Sequence, residues 1–440
     1  MSRFRKFTAQ LSDLADWADL RSDQGLAVAG DFAEVLRLIG RKTRKLAAMQ
    51  PPKALLAREP NGLAAIRALR PRGAHRYWQT IPPLKYGDRL AGAWLGRCAG
   101  CTLGAAVEFF PIADMQALAR ETGGSWPPTD YWPQAWAPYR ERYGKDMTRQ
   151  YAKSHLAYVP VDDDLTYTLL DLLILEDYGP GFTTAQAGRA WLKYLPMACT
   201  AERAALDNLR KGVPAARSAL VRNPWMEWIG GDIRVDGWGY LAPGWPERAA
   251  ELAWRELWLS HRFSGIYGGM YVAAAISAAF ALGDTEAALV AGLAEIPREC
   301  RTAKAVRWAL GQQRRVRNWQ AARAAVDRHF QGLSQVHTDN NLCLSIFGLL
   351  IGRRDFTRVI GQTVAMGMDN DCTAATAGSI FGAAYGLKAI PDKWYRPFRG
   401  RQRTYLNGRE WFSIPDTLRR FEQCAQRVFA VGARPRKSGA

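Results

Sequence analysis

Two acidic segments carry residues whose types and spacing could do chemistry. Asp162, Asp163 and Asp164 stand side by side before a strongly apolar stretch. Asp369 and Asp371 stand one residue apart before a second stretch of small and apolar residues. One aspartate at a helix N-terminus is a good cap and interacts favourably with the helix dipole, by roughly 0.3–1 kcal/mol. Adjacent aspartates repel one another unless a cation or solvent screens them. The pattern therefore has two interpretations, helix capping and metal binding.

A sixth carboxylate, in a third segment, favours the metal interpretation. Glu108 follows a predicted glycine-rich helix and stands among apolar residues. Hard cations such as Mg²⁺ and Mn²⁺ take oxygen ligands, and two cations that share several carboxylates can activate water. The sequence lacks EF-hand spacing, a P-loop and a G-x-S-x-G element in a strand–turn–helix context, which argues against calcium sensing, P-loop nucleotide binding and serine-nucleophile chemistry. We therefore expect a site for Mg²⁺ or Mn²⁺, with two ions, where three helix ends converge.

Glycine-faced helices must position these carboxylates. Segments 86–104 and 367–386 each carry glycines every four residues, which places the glycines on one face of a helix. Such a face lets another backbone approach closely, although each glycine costs about 1 kcal/mol of helix propensity relative to alanine. A third helix of small residues is predicted over Ser264–Asp284. Because no alternating strand pattern appears, the predicted fold class is all-α.

The sequence divides into three parts. Residues 1–81 are predicted to form a basic helical extension, with helices over Phe7–Ala18 and Asp31–Met49 and a proline-rich, linker-like stretch after them. The basic face of the second helix could contact nucleic acid, although a solvated face is the more frequent origin of such a pattern. Residues 82–432 are predicted to form a compact multi-helix domain, and residues 433–440 a disordered basic tail.

Composition limits the class of protein. The chain has 440 residues, 48% of them hydrophobic and 17 of them tryptophan, which indicates a packed globule. No stretch of about 20 apolar residues suggests a membrane span. Seven scattered cysteines are typical of reduced thiols, so we expect a cytoplasmic location and no disulfide framework. The formal charge of +19 suits either an anionic partner or a generally basic, solvated surface.

The segments that contain these residues resemble the ADP-ribosylglycohydrolases of the dinitrogenase-reductase-activating glycohydrolase type, over roughly residues 86–430. GAWLGRCAGCTLGAAVEFF is similar to the family's first glycine-rich helix and its glutamate, and VDDDLTYTLL to its Thr-Asp-Asp-Thr metal motif. HRFSGIYGGMYVAAAISAAF is similar to the central helix, and GMDNDCTAATAGSIFGAAYG to the second metal motif. The resemblance implies an all-α fold, a di-metal centre of Mg²⁺ or Mn²⁺, and hydrolysis of an N- or O-glycosidic bond at the distal ribose of ADP-ribose. The implied partner is an ADP-ribosylated protein or another ADP-ribose conjugate.

The resemblance also assigns roles to individual residues. Glu108 or Asp163 would position or deprotonate the attacking water. The implied metal ligands are Asp162, Asp163, Asp164, Asp369, Asp371 and Cys372. The implied contacts to the ribose and phosphates are Gly230, Gly231, Asp232, His261 and Tyr267.

The sequence departs from the family pattern at four positions, one of which is Asp162, where the first metal motif often has threonine. Leu165 and Asn370 replace threonines of the two metal motifs, and Cys372 stands where the second motif often has a liganding threonine. Cysteine is a soft ligand and suits Mg²⁺ poorly. These changes indicate a subfamily with altered metal geometry, and two alternatives to the main function stay open. One is a hydrolase of a small ribosylated metabolite or nucleotide conjugate, with the aromatic loop Trp126–Tyr143 as a wall of its pocket. The other is a non-enzymatic family member with a structural or binding role.

Overall fold

The computed structural model describes residues 5–134 and 149–432, and its regular structure is almost entirely α-helical. The described residues contain a single small sheet, in which strands β1 (Arg401–Arg403) and β2 (Trp411–Ser413) pair antiparallel. The predicted all-α fold class is therefore confirmed. Residues 135–143 of the predicted aromatic loop and the predicted tail 433–440 lie outside the described residues.

The helices are numbered here along the described chain. The N-terminal part contains α1 (Arg5–Asp23), α2 (Ala29–Ala48), α3 (Lys53–Arg58) and α4 (Leu63–Leu69). The next helices are α5 (Pro83–Ala105), α6 (Ile112–Thr122), α7 (Asp163–Tyr178), α8 (Thr184–Tyr194), α9 (Thr200–Arg210), α10 (Asp236–Leu241) and α11 (Pro246–Leu257). The last are α12 (Ser264–Leu282), α13 (Thr285–Gly292), α14 (Arg301–Gly311), α15 (Trp319–His329), α16 (Thr338–Gly352), α17 (Phe356–Ala365), α18 (Asn370–Tyr385) and α19 (Ile414–Gly432).

The N-terminal part consists of an exposed helical portion and a portion that packs on the core. Both helices predicted there occur, as α1 and α2, and α2 buries no residue. The stretch predicted to be a linker is packed onto the core instead. Glu59 is buried and pairs with Arg301 at 2.8 Å, and the Tyr267 hydroxyl donates to the Pro60 carbonyl at 2.7 Å. The prolines end helices here without preventing the segment from packing. The domain boundary at residue 82 stays a prediction.

The closest helix pair is α5 with α18, and the glycine spacing explains it. A Cβ added at Gly100 would overlap the backbone of Ala374, and one added at Gly382 would overlap the carbonyl of Gly92. The two helices run antiparallel, so the C-terminal end of α5 meets the N-terminal end of α18. At that end a Cβ on Gly104 would overlap the backbone of Asp371. The glycine faces thus bring the segment after α5 against the start of α18.

Adding a side chain at the contact between α5 and α18 is expected to destabilise the fold. In Gly382→Ala the new methyl group must push α18 away from α5, which costs about 1–3 kcal/mol or more. Gly311→Ala is the matched control, because Gly311 is also helical but has open space around its Cβ position. The control should be neutral or stabilising by up to about 1 kcal/mol. Urea unfolding of both variants measures the difference, and equal stabilities would contradict the close-packing account.

Helix α12 lies at the centre of the core. Among the described residues it is the one helix long and apolar enough to cross a membrane, and 89% of its apolar window is buried inside the protein. It packs on α11, α13 and α18, so protein covers its apolar surface on several sides. Small residues such as Gly268 and Gly269 permit this packing, because a Cβ at either position would overlap neighbouring atoms.

Candidate metal centre and cavity

The predicted acidic residues meet at one cavity of about 620 Å³. Asp162 and Asp163 line it from the start of α7, and Asp369 and Asp371 from the start of α18. Glu108 lines it from the turn after α5. The prediction that three helix ends converge therefore agrees with the geometry.

The turn that carries Glu108 is locked to the turn that carries Asp369. Phe109 and Met368 both have left-handed backbone conformations, with φ of 58° and 64°. The backbone amide of Phe109 donates to the Met368 carbonyl at 3.1 Å. Such conformations are costly for residues other than glycine, and they are found where surrounding structure holds a functional site. The two strained turns hold Glu108 beside the second acidic segment.

Helix capping explains only part of the acidic cluster. The Asp162 side chain accepts from the Asp164 amide at 2.9 Å and so caps α7. Asp369 stands at the cap position of α18, but its side chain makes no capping hydrogen bond. The Oδ1 atoms of Asp369 and Asp371 are buried without a hydrogen-bond partner. These residues are only 5% and 3% exposed. Unpartnered buried carboxylate oxygens are costly, and a bound cation would satisfy them.

The described residues contain three groups of side chains whose ligand atoms lie within 4.8 Å of one another. Every predicted metal ligand belongs to at least one group, and the residues present therefore fit a divalent cation centre. The groups are Glu108, Asp369 and Asp371; Asp162, Asp163 and Asp164; and Asp164, Asp371 and Cys372.

Burial and mutual repulsion disfavour the charged forms of these acids. Burial, followed by the charge of Asp371, raises the pKa of Asp163 to about 6. Burial is also the main cause that raises the pKa of Asp162, Asp369 and Asp371, with neighbouring carboxylates adding to it for Asp162 and Asp369. Cations remove this repulsion, so the cluster should bind them far better than isolated surface acids do.

Sequence reasoning did not single out Arg97, which organises one side of the cluster. It is fully buried on α5 and pairs with Asp164 at 3.3 Å and with Asp236 at 2.9 Å. It also donates to the Asp164 carbonyl at 2.8 Å and to Thr168 Oγ1 at 3.0 Å. An arginine in the middle of a glycine-rich apolar helix was the available signal, because a charge there requires buried partners.

A second cluster of buried charged residues borders the cavity, and sequence reasoning did not single it out either. Glu202, in the first turn of α9, lines the cavity, and burial raises its pKa to about 7. Arg234 lies behind it, with Nε 3.6 Å from Glu202 and Nη1 2.8 Å from Glu256. Trp191 donates to the same Glu256 carboxylate at 2.9 Å. A glutamate that retains a proton near neutral pH thus faces the cavity.

The predicted substrate contacts are only partly at the cavity. Gly230 lines it, whereas Gly231, Asp232, His261 and Tyr267 are not part of the described lining. His261 is buried against Ser260, and burial holds the pKa of its imidazole well below the usual value. Gly231 packs against the Gly265 carbonyl, and the Tyr267 hydroxyl donates to the Pro60 carbonyl. Direct contact of these four with a substrate stays a prediction.

Other elements build the rest of the wall. Trp228 and Ile229 form one side, segment 334–336 a second, and Tyr405 a third. Residues 126–134 of the aromatic loop are not part of the described lining, so the expectation that they wall the pocket is wrong, whereas residues 135–143 lie outside the described residues. Trp126 packs on Trp319 with ring centroids 5.6 Å apart, and the Trp132 indole donates to a core carbonyl. Trp132 is therefore a core residue, and the half-buried Trp126 packs against the core.

Glu202 is expected to make the metal-free protein less stable as pH rises. Its pKa is about 7 when folded and about 4.5 when unfolded, so the folded protein retains a proton that the unfolded chain has lost. The stabilisation is complete below the unfolded pKa and is lost as pH rises through 7. Between about pH 5 and about pH 8, the free energy of unfolding of the wild-type protein should therefore fall by about 2–3 kcal/mol more than that of Glu202→Gln.

Denaturant unfolding in the presence of a chelator measures this difference. Glu286→Gln is the matched control, because Glu286 is also a first-turn glutamate but is exposed, on α13. The control should follow the wild-type pH dependence. An identical pH dependence for Glu202→Gln and the wild type would contradict the assignment.

Comparison with known proteins now adds to this geometry. A sequence model of the ADP-ribosylglycohydrolase family matches residues 82–428. Among solved structures, the chain is similar to one described as "ADP-ribosylglycohydrolase-related protein complex", with a TM-score of 0.52 and 19% identity. That match covers 78% of this chain and 99% of the other, and at this identity it shows the fold alone. No curated protein matches the chain.

The fold and the site together define an all-α scaffold with an acidic cavity. Because the family match extends over most of its length, the chain belongs to the ADP-ribosylglycohydrolase family. The resemblance carried by the two acidic motifs and the glycine-rich helices is thereby confirmed.

Proposed function

We propose that this chain hydrolyses the N- or O-glycosidic bond between ADP-ribose and an acceptor, such as a side chain of a modified protein. The reaction would depend on Mg²⁺ or Mn²⁺, with two ions bound. One observation carries the proposal. Carboxylates from the ends of α5, α7 and α18 meet at one cavity, and two of their buried oxygens lack partners.

The chain's own residues would divide the work between them. The three groups of carboxylate and thiol ligands described above would hold the ions. A bound divalent cation supplies Lewis acidity toward ribose hydroxyl groups and lowers the pKa of a coordinated water. Glu108 or Asp163 would position that water or accept its proton. Glu202 still holds a proton near neutral pH and lines the same cavity, so it is a candidate donor to the leaving group.

The apolar part of the wall would exclude bulk water from the reacting bond. Met197, Trp228, Ile229 and Val336 line the cavity together with the acids. Removing water strengthens electrostatic interactions inside a site and protects a reactive glycosyl centre. The substrate ribose would therefore lie between an acidic end and an apolar wall.

Hydrolysis of ADP-ribosyl-arginine and ADP-ribosyl-serine tests the proposal. The full-length protein should release ADP-ribose from at least one substrate, lose turnover with a chelator, and recover it with Mg²⁺ or Mn²⁺. Glu108→Gln should turn over poorly while it remains folded. Turnover that survives complete metal removal would contradict the metal-dependent mechanism.

A second candidate function is favoured by one specific observation. Six acidic residues and no lysine or arginine line the cavity, as far as the structure describes the chain. A pyrophosphate would thus meet no cationic side chain there, and only cations and helix N-termini would neutralise it. A small ribosylated metabolite without a pyrophosphate fits this lining as well. A higher kcat/KM for a simple riboside than for an ADP-ribosyl substrate would favour this candidate.

Three further proposals concern a non-enzymatic role, the cellular location and a nucleic-acid contact. A purely structural or binding role requires that the acids bind no catalytic cation, so absence of Mg²⁺ and Mn²⁺ binding in calorimetry would favour it. We also propose a cytoplasmic location, supported by seven cysteines that are all free.

A nucleic-acid contact through residues 1–81 has only the basic face of α2 in its favour. Salt-dependent binding that disappears on truncation of these residues would be its signature.

A further inference from the structure

Two of the three groups of candidate metal ligands share one residue and differ in the atoms that they offer to a cation. Glu108, Asp369 and Asp371 offer only oxygen ligands and are called the oxygen position here. Asp164, Asp371 and Cys372 offer two carboxylates and a sulfur and are called the mixed position. Because Asp371 belongs to both, the two positions adjoin.

The thiol of Cys372 is directed into the acidic cluster. Its Sγ donates a hydrogen bond to Oδ2 of Asp164 at 3.2 Å, and the residue lines the cavity although it is 5% exposed. Arg97 holds Oδ1 of the same carboxylate at 3.3 Å from the other side. The guanidinium therefore fixes the Asp164 carboxylate with its second oxygen toward the sulfur.

An unpartnered oxygen on the shared residue points to a ligand where the two positions adjoin. Oδ1 of Asp371 is buried and has no hydrogen-bond partner. A carboxylate oxygen in that state is costly unless a donor or a cation meets it. A cation bound there would have two carboxylates and one sulfur within reach, and this set of ligands differs from the one hard cations prefer.

We propose that the mixed position binds a borderline divalent cation, Zn²⁺ or Co²⁺, through the Cys372 thiolate, while the oxygen position takes Mg²⁺ or Mn²⁺. The inference rests on the proposed two-metal function and adds metal selectivity to it. Thiolate ligands select Zn²⁺ over Mg²⁺, and affinity rises along the divalent series from Mn²⁺ through Co²⁺. On binding, the S–H proton leaves to solvent and a metal–sulfur bond replaces the hydrogen bond to Asp164.

Cobalt titration of the full-length, metal-stripped protein tests this inference without any substrate. Co²⁺ should produce a near-ultraviolet charge-transfer absorption from the thiolate. In Cys372→Ser this absorption should vanish, and Zn²⁺ affinity measured by calorimetry should fall at least about tenfold. Mg²⁺ affinity should change less than about threefold, because the oxygen position is retained.

Two other thiols provide matched controls. Cys199 lines the same cavity from the cap position of α9, and Cys343 is buried on α16. Cys199→Ser and Cys343→Ser should both keep the charge-transfer absorption. If circular dichroism shows that Cys372→Ser does not fold, the ¹¹³Cd NMR resonance of the wild-type protein provides the test in place of that variant. A resonance shifted toward thiolate coordination supports the proposal, and one typical of oxygen ligands alone overturns it.

The outcomes separate this inference from the proposed function. Co²⁺ binding without charge-transfer absorption, or unchanged Zn²⁺ affinity in Cys372→Ser, would overturn the thiolate assignment and leave a metal-dependent hydrolase in place. In that case the thiol only donates a hydrogen bond to Asp164. Failure of the wild-type protein to bind any divalent cation would overturn both proposals.

Discussion

Replacing Asp371 with asparagine should lower turnover about 1,000-fold, equivalent to about 4 kcal/mol of transition-state stabilisation. Asp371 belongs to two of the three ligand groups, so its loss weakens both positions. The same substitution should stabilise the metal-free protein by about 1 kcal/mol or more above neutral pH. The reason is that burial disfavours the charged form of Asp371 and raises its pKa.

The opposite signs of these two effects make the prediction specific. Turnover is measured with saturating metal, and stability by denaturant unfolding with a chelator. Asp114→Asn is the matched control, because Asp114 is also a first-turn aspartate but lies on α6, outside the described lining. It should leave both quantities nearly unchanged. An Asp371→Asn protein that is less stable than the wild type without metal would show that the carboxylate has a structural role.

Replacing Arg97 with methionine should destabilise the fold by about 3–5 kcal/mol. The guanidinium is fully buried between Asp164 and Asp236, and methionine fills similar space without charge. Both carboxylates would then be buried without the guanidinium that pairs with them. An unpaired buried charge costs far more than the loss of one ion-pair contact. Because Asp164 also loses the group that orients it, metal affinity should fall in the same variant.

Two further variants show whether the cost comes from unpaired charge. Arg396→Met removes an exposed ion pair with Asp392 and should change stability by less than about 1 kcal/mol. Adding Asp236→Asn to Arg97→Met removes one of the orphaned charges and should recover part of the loss. Urea unfolding with a chelator measures these variants and Asp236→Asn alone. If the double variant is as unstable as the sum of its single changes, lost packing rather than unpaired charge explains the cost.

The two metal motifs show how far local sequence information reaches. Aspartates before an apolar run predict both a helix start and a candidate ligand, and the starts of α7 and α18 agree with this. Glycines every four residues predict a close helix contact, and α5 packs on α18 through them. These signals work because each depends on neighbours within one or two helical turns. The N-terminal stretch 59–79 shows the limit, since prolines suggested a linker where side chains pack on the core.

The sequence alone determined the all-α class, the acidic residues and the helices that bring them together, because capping and helical periodicity are local properties. Only the tertiary structure decided which distant residues surround them. It placed Arg97 between Asp164 and Asp236, Glu202 at the cavity, and Tyr131 and Trp132 of the loop in the core. Buried charges and cavity walls depend on partners far apart in the chain, and their pairing follows from three-dimensional packing.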